Sequence, residues 1–410
     1  MRREHLDRTE RTRATVLIVA MWIVLVLAGL TLVFCRAMRV EALASANFVS
    51  GLQAESVARG ALQMVLSRVD GQSSPDLVTT SEAYAVGGGY FWILNPSLDD
   101  DTQVGYGIRD EASRINLNTA TTEMLMNLPN MPGELAAAIV DWRDSDSDVT
   151  SGGAESEYYL LSETPYTCKN SAFETVEELL LVKGATWELL FGEDANRNGA
   201  LDANENDGDD MAPADNRDGA LDRGLYDYLT VFSVEPNTSL TGEARVNVND
   251  AGGRRLGELL RGALGDRYYA VMDRVRSARP FTSVLDFYAR SGLSAEEFAQ
   301  VADKLTASNE RTQRGLINVN TAPKKILMCL PGLEESGADA LISARQAEGA
   351  DLTSVAWVAK ALSKEKAAAI GPWITTRSYQ FSADIVAVSG DGRAFRRYRA
   401  VVDARSSPPV

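Results

Sequence analysis

From Val16 to Phe34 the chain runs for nineteen residues without a charge. As a helix rising about 1.5 Å per residue this stretch is roughly 28 Å long, close to the roughly 30 Å hydrocarbon core of a bilayer, and it predicts one membrane span. Past it the apolar positions thin to a stripe. Ala44, Phe48, Leu52, Ala58, Leu62, Val65, Leu66 and Val69 fall at helical spacing, with no proline between Arg36 and Val69. The pattern predicts a single long helix, apolar all round in its first half and amphipathic in its second, ended by the break from Gly71 to Pro75.

The period then changes to two. Tyr90 to Leu94 reads as a strand, Asn95 to Asp101 as an acidic turn, and Val104, Tyr106 and Ile108 as a second strand. At the far end Tyr379, Phe381, Ala383, Ile385 and Ala387 alternate, Ser389-Gly390-Asp391-Gly392 turns, and Ala394 to Val402 returns as a hairpin. Strands at both ends with helical material between them predict an α+β fold: a stem helix on an antiparallel sheet, with a large α-helical domain inserted into the sheet. The expected division is a leader at 1–14, the stem at 15–70 and the first part of the sheet at 71–113. A first helical unit at 114–244, further units at 245–377 and the C-terminal strands at 378–410 complete it.

The inserted region repeats. Arg114-Ile115-Asn116-Leu117-Asn118-Thr119-Ala120, Arg245-Val246-Asn247-Val248-Asn249-Asp250-Ala251 and Leu316-Ile317-Asn318-Val319-Asn320-Thr321-Ala322 each precede a helical pattern. The second Asn, or the Thr or Asp after it, is placed to cap that helix. In the first and third copies a Leu-Pro turn follows, at Leu128-Pro129 and Leu330-Pro331, and then a second apolar helix, as in a helix-hairpin-helix unit. The middle copy has no such turn. Helix-hairpin-helix units often bind DNA through hairpin amides and lysines, but here the hairpins carry Gly133-Glu134 and Gly332-Leu333-Glu334-Glu335. Acids where a phosphate would approach repel it, so the expectation is a packing module that binds no nucleic acid.

Charge sharpens both ends of this picture. Arg2, Arg3, Arg8, Arg11 and Arg13 precede the span, which predicts a cytoplasmic N-terminus with the bulk of the chain on the other side. A cleaved secretory signal would have a shorter apolar core, roughly 7–15 residues, and a small-x-small site after it. Of the formal net charge of −16, residues 191–222 supply −8, from ten acids and two arginines. That balance suits a cation and disfavours nucleic acid. The one histidine, His5, lies in the leader, so His-dependent triads and zinc sites beyond the membrane are excluded, and no phosphate-binding G-x-x-x-x-G-K-[ST] occurs. An enzyme is not expected. Three cysteines make no disulfide framework; Cys329 sits in an apolar run and reads as a buried thiol, although Cys168 can in principle pair with it.

The acids are spaced for a metal. Asp194, Asn196, Asn198 and Asp202 occupy positions 1, 3, 5 and 9 of a twelve-residue calcium loop, with Gly199 at 6, the Ala200 carbonyl at 7 and Glu205 as a bidentate ligand at 12. A second pass, Asn216, Asp218, Gly219 and Asp222, lacks the first acid, replaced by Ala214, and the last, replaced by Leu225; Asp207, Asp209, Asp210 or Asp215 can complete it. The expected cofactor is Ca2+, in one full EF-hand-like loop and one partial second site. A solvated acidic loop is the alternative, and magnesium is the weaker candidate because it keeps a smaller, wetter shell.

Arg13-Ala14-Thr15-Val16-Leu17-Ile18-Val19-Ala20-Met21-Trp22 resembles the leader junction of the K-type minor pseudopilins of type II secretion systems. The resemblance continues through Asp141-Trp142-Arg143-Asp144, Gly152-Gly153-Ala154-Glu155, Tyr158-Tyr159 and Phe173 to Gly184, and so covers almost the whole chain. It implies a pilin-type sheet with an inserted domain of SAM-like units, calcium binding, and cleavage by prepilin peptidase between Ala14 and Thr15, with Ala14 where the family usually has glycine. A signal anchor that is never cleaved is the other reading of that junction. The implied function is a structural subunit at the tip of the pseudopilus, serving protein export across the outer membrane in contact with other minor pseudopilins. The implied placement is single-pass in the inner membrane, with the bulk periplasmic. The alternatives are a membrane-anchored helix-hairpin-helix protein of DNA uptake or a related pilus, and a periplasmic calcium-dependent binding module.

Overall fold

The computed structural model describes residues 2–70 and 77–410, with the backbone alone for residues 2–14. The predicted break at Gly71 to Pro75 lies outside the described residues. One helix runs Arg2–Val69, and the apolar side chains from Val16 to Phe34 all stand more than half exposed along it. A surface of that kind is stable in hydrocarbon and costly in water.

The chain forms two compact units, residues 1–60, 83–91 and 386–397, and residues 61–82, 92–385 and 398–410. In the first, the stem buries Ser50, Ala54, Val57 and Ala58. The Ser50 hydroxyl donates to the Asp391 carboxylate at 2.8 Å, and the Gln53 side chain bonds the Gly87 carbonyl and the Gly390 amide. In the second unit the stripe continues through Ala61, Val65 and Val69. The expected stripe holds in its second half, where Ala58, Val65 and Val69 are buried, and is corrected in its first, where Ala44, Phe48 and Leu52 are exposed and Ser50, Ala54 and Val57 are buried instead.

The sheet is antiparallel where its register is defined, in the order Tyr84–Val86, Gly89–Leu94, Gln380–Val388, Phe395–Asp403, with Arg109–Asp110 also against Gln380–Val388. The predicted C-terminal hairpin forms as expected, closed by Ser389 N–H on the Ala394 carbonyl at 2.9 Å. The predicted strand at Val104 to Ile108 is reduced to isolated bridges at Tyr106 and Gly107 before Arg109–Asp110.

All three Asn repeats fold alike, including the middle one. Each first-Asn segment makes a short parallel pair with a later Leu/Ile-Thr segment: Ile115-Asn116 with Leu229-Thr230, Val246-Asn247 with Leu305-Thr306, and Ile317-Asn318 with Ile374-Thr375. The first Asn accepts the amide of the second at 2.8, 2.8 and 3.0 Å. The second Asn does not cap the next helix. Asn118 and Asn249 instead clamp the backbone of Phe173 and Phe281, and Asn320 donates to the Leu352 and Thr376 carbonyls. In the first copy the cap is Thr121, whose side chain accepts the Met124 amide; in the others Gly253 and Pro323 stand at the N-cap position without a side-chain cap bond. An arginine closes every unit: Arg143, Arg279 and Arg345 donate to the carbonyl between the two Asn residues, at Leu117, Val248 and Val319. Cys168 and Cys329 are buried and free; burial pushes their thiols up, to about 11 and about 12.

Candidate metal centre

The short helix Trp187–Phe191, capped by the Thr186 hydroxyl, stops at Gly192 and delivers Glu193 and Asp194 into the first acidic loop. Asp194 accepts from the Asn198 amide at 3.0 Å and the Gly199 amide at 2.8 Å, folding positions 1 to 6 around its carboxylate. Gly199 adopts φ +75°, and a Cβ there would lie 2.4 Å from that of Pro96, so only glycine fits the turn. Glu205 reaches back across the loop: one oxygen accepts the Ala195 amide at 3.0 Å and the other the Asp202 amide at 3.1 Å. Glu205 thereby lies near enough to Asp194 and Asp202 to feel the charge of both, and Asp194 and Glu205 are buried.

The Asp202 carboxylate accepts the side-chain amide nitrogens of Asn196 at 2.6 Å and Asn198 at 2.9 Å. Those two N–H groups supply the partial positive charge that a cation would supply. The oxygens of the same two side chains accept the Asn198 and Ala200 amides at 2.9 and 2.7 Å, which fixes the orientation of both amides. Burial, and after it the neighbouring carboxylates Asp194 and Asp202, pushes the Glu205 carboxyl up; burial does the same to Asp194, against the opposing pull of its amide donors and of Arg223. Acids raised by desolvation and mutual repulsion are relieved by a bound divalent cation, and the donor set of carboxylates, amides and the Ala200 carbonyl fits the hard-oxygen shell of calcium.

The second loop copies the first. Asn216 donates from its side chain to Asp222 at 3.2 Å as Asn196 does to Asp202, the Ala220 amide bonds Asp218 as the Ala200 amide bonds Asn198, and Gly219 has φ +78°. The missing terminal acid is supplied by Glu193. Its two oxygens accept the Asn216 amide at 3.3 Å and the Asp222 amide at 3.2 Å, the grip that Glu205 has on the first loop. Sequence reasoning missed Glu193 because it precedes the other loop. Asp101 ties the two together: its carbonyl accepts the Leu201 amide at 2.9 Å and its carboxylate the Leu221 amide at 3.1 Å.

Of the residues proposed to complete the second loop, Asp215 spends its oxygens on the amides of Asp207, Gly208 and Arg217, each at 2.8 Å. Asp207 keeps one buried oxygen without a hydrogen-bond partner. Asp210 pairs with Arg217 at 2.7 Å. Arg197, at φ +54°, turns out of the first loop and lies over the Phe191 and Tyr226 rings at 4.3 and 4.8 Å. In the third repeat the hairpin acids hold lysines: Lys324 contacts Glu335 at 2.8 Å, and Lys366 contacts Glu334 at 3.3 Å. Ala14 lies among residues described by backbone alone, and Thr15 is the first whose side chain is described.

Two family models match the chain, both described as type II secretion system protein K, one over residues 109–190 and one over residues 317–377. Residues 191–316, which hold both acidic loops and the middle repeat, lie outside these matches. Among solved structures, a chain of the GspK-GspI-GspJ complex from the enterotoxigenic Escherichia coli type 2 secretion system is similar at 14% identity, over 90% of this chain and 95% of that one, with a TM-score of 0.42. No curated protein matches.

Proposed function

The chain belongs to the type II secretion system protein K family as a minor pseudopilin, and from that premise we propose that it forms the tip of the pseudopilus. Val16 to Phe34 anchors it once in the inner membrane, with the leader cytoplasmic and the bulk periplasmic, and prepilin peptidase cuts between Ala14 and Thr15. Residues 114–377 form a head inserted in the sheet, and the partners are other minor pseudopilins.

The observation that carries the tip placement is the uninterrupted apolar stem. In the register set by Thr15 the fifth residue is Val19, where the resemblance implies a glutamate in major pseudopilins, paired with the N-terminal amine of the subunit ahead. An unpaired carboxylate in that layer costs several kcal/mol, so a subunit with no neighbour ahead is better without one. A head of the size of residues 114–377 also clashes if stacked along a shaft. Deleting the gene is expected to abolish filament initiation and leave exported protein in the periplasm. Undiminished initiation, or label spaced regularly along the filament, overturns the placement.

The same reading gives the head its cofactor. Calcium binds in the loop 194–205 through Asp194, Asn196, Asn198, the Ala200 carbonyl, Asp202 and Glu205, and in the second loop through Asn216, Asp218, Asp222 and Glu193. Its part is to neutralise and order these loops; the function is structural.

A further inference from the structure

A third group of acids lies apart from both loops. Asp144 ends the helix Gly133–Arg143 as its C-cap, Asp146 follows in an exposed turn, and Glu155 stands at the N-cap of the helix Ser156–Tyr159. One carboxylate oxygen from each lies within 4.8 Å of the other two. Glu155 is only 3% exposed, and neither of its oxygens has a hydrogen-bond partner. Asp144 likewise keeps one buried oxygen unbonded. The Ser156 amide and the Cys168 thiol approach Glu155 without meeting it in bonding geometry, and the thiol is directed to the Asp141 carbonyl at 3.6 Å.

Arg143 acts on Asp144 by its charge, but its N–H groups and those of Lys183 are bonded to backbone carbonyls. Arg143 donates to the Leu117 and Ala120 carbonyls, and Lys183 to the Gly152 and Gly153 carbonyls at 3.1 Å. A buried, unbonded carboxylate facing two others is costly unless a charge of the opposite sign joins it. Burial first, and then Asp144 and Asp141, push the Glu155 carboxyl up.

We propose that Asp144, Asp146 and Glu155 form a further binding site for a divalent cation, of the size of calcium. Three carboxylates supply a hard-oxygen donor set, and on an irregular loop calcium takes such a set more readily than magnesium, which demands a near-ideal octahedral shell. Gly153 leaves room for the loop to close, since a Cβ there would lie 2.0 Å from an Asp141 oxygen. The bound ion joins the end of one helix to the start of another and locks the loop 145–154 between them.

The test is calcium stoichiometry, measured by equilibrium dialysis and elemental analysis on the full chain in detergent, with calcium alone as the probe. E155Q is expected to bind one equivalent fewer than the unmodified chain, and D146N to weaken that same equivalent about ten-fold or more. E205Q removes a different equivalent, so E155Q with E205Q loses two. If E155Q fails to fold, D146N at its exposed position decides. Unchanged stoichiometry and affinity in D146N or folded E155Q overturn the site, whatever E205Q does.

Discussion

The two acidic loops have the same shape and are closed by different carboxylates. In the first, Glu205 belongs to the loop it closes; in the second, Glu193 comes from ahead of the other loop and grips the Asp222 amide from 29 positions away. The difference teaches that the closing grip is a geometric requirement, two oxygens on two loop amides, which the chain can meet from outside the motif. It also makes the loops unequal. The first is closed from within, whereas the second depends on the chain entering the first; Asp101 holds both, at Leu201 and at Leu221.

The largest effect expected of this comparison is on calcium-linked stability. A ligand that binds only the folded chain stabilises it by about 2.7 kcal/mol at a hundred-fold excess over Kd. E205Q and E193Q are each expected to remove one such increment, and the pair to remove two, read from denaturant unfolding with calcium against chelator. If E193Q leaves the calcium response whole while E205Q halves it, the second loop is only a packed turn and the likeness of the loops is one of backbone alone.

What was legible in the sequence follows the same line. The turn of the first loop could be read because its residues from Asp194 to Glu205 fall within one short window of fixed spacing. The second was legible in its interior, Asn216, Asp218 and Asp222, but its closure was not, because pairing with Glu193 is a tertiary event. Asp144, Asp146 and Glu155 spell no motif, since two helix ends bring them together. The Asn repeats could be recognised but their job was misjudged: spacing pointed to a local cap, and the second Asn bonds a distant backbone. The stem stripe was legible at Ala58, Val65 and Val69 and slipped nearer the span, where apolar size was weighted too heavily: Ala54 is buried and Phe48 is not.

A smaller effect separates the loops by their surroundings. Gly199 and Gly219 share nearly the same backbone, φ +75° and +78°, yet a Cβ on Gly199 collides with Pro96 while one on Gly219 meets open space. G219A is expected to cost only the left-handed penalty of about 1 kcal/mol. G199A adds the displacement of Pro96 and is expected to cost about 3 kcal/mol, within the range for overpacking a close contact. Urea midpoints in chelator decide it, and equal losses would mean that the turn 95–101 does not press on the first loop.

The smallest effect is a pH dependence confined to the metal-free chain. Burial raises the closing glutamates of both loops above their ordinary 4.5, Glu205 with Asp194 and Asp202 adding to it, Glu193 with Asp222 and Asp215 adding to it. Each then holds a proton in the folded chain at pH values where the unfolded chain has released it. The resulting stability is fully present below pH 4.5 and is lost as pH rises through the folded-state values. Substitution by glutamine removes the buried charge but sets an N–H donor against one of the two loop amides that each glutamate accepts. In chelator the stability of E205Q and of E193Q is therefore expected to fall less than that of the unmodified chain as the pH rises from 4.5 to neutral, which moves each pair of curves toward a crossing. With calcium that relative gain disappears, because the ion needs the charged form that the metal-free fold resists. Thermal melts of the three proteins across this range, with chelator and with calcium, test both loops at once. If only E205Q shows the crossing, the grip of Glu193 on the second loop is a hydrogen-bonded turn with no ion to answer it.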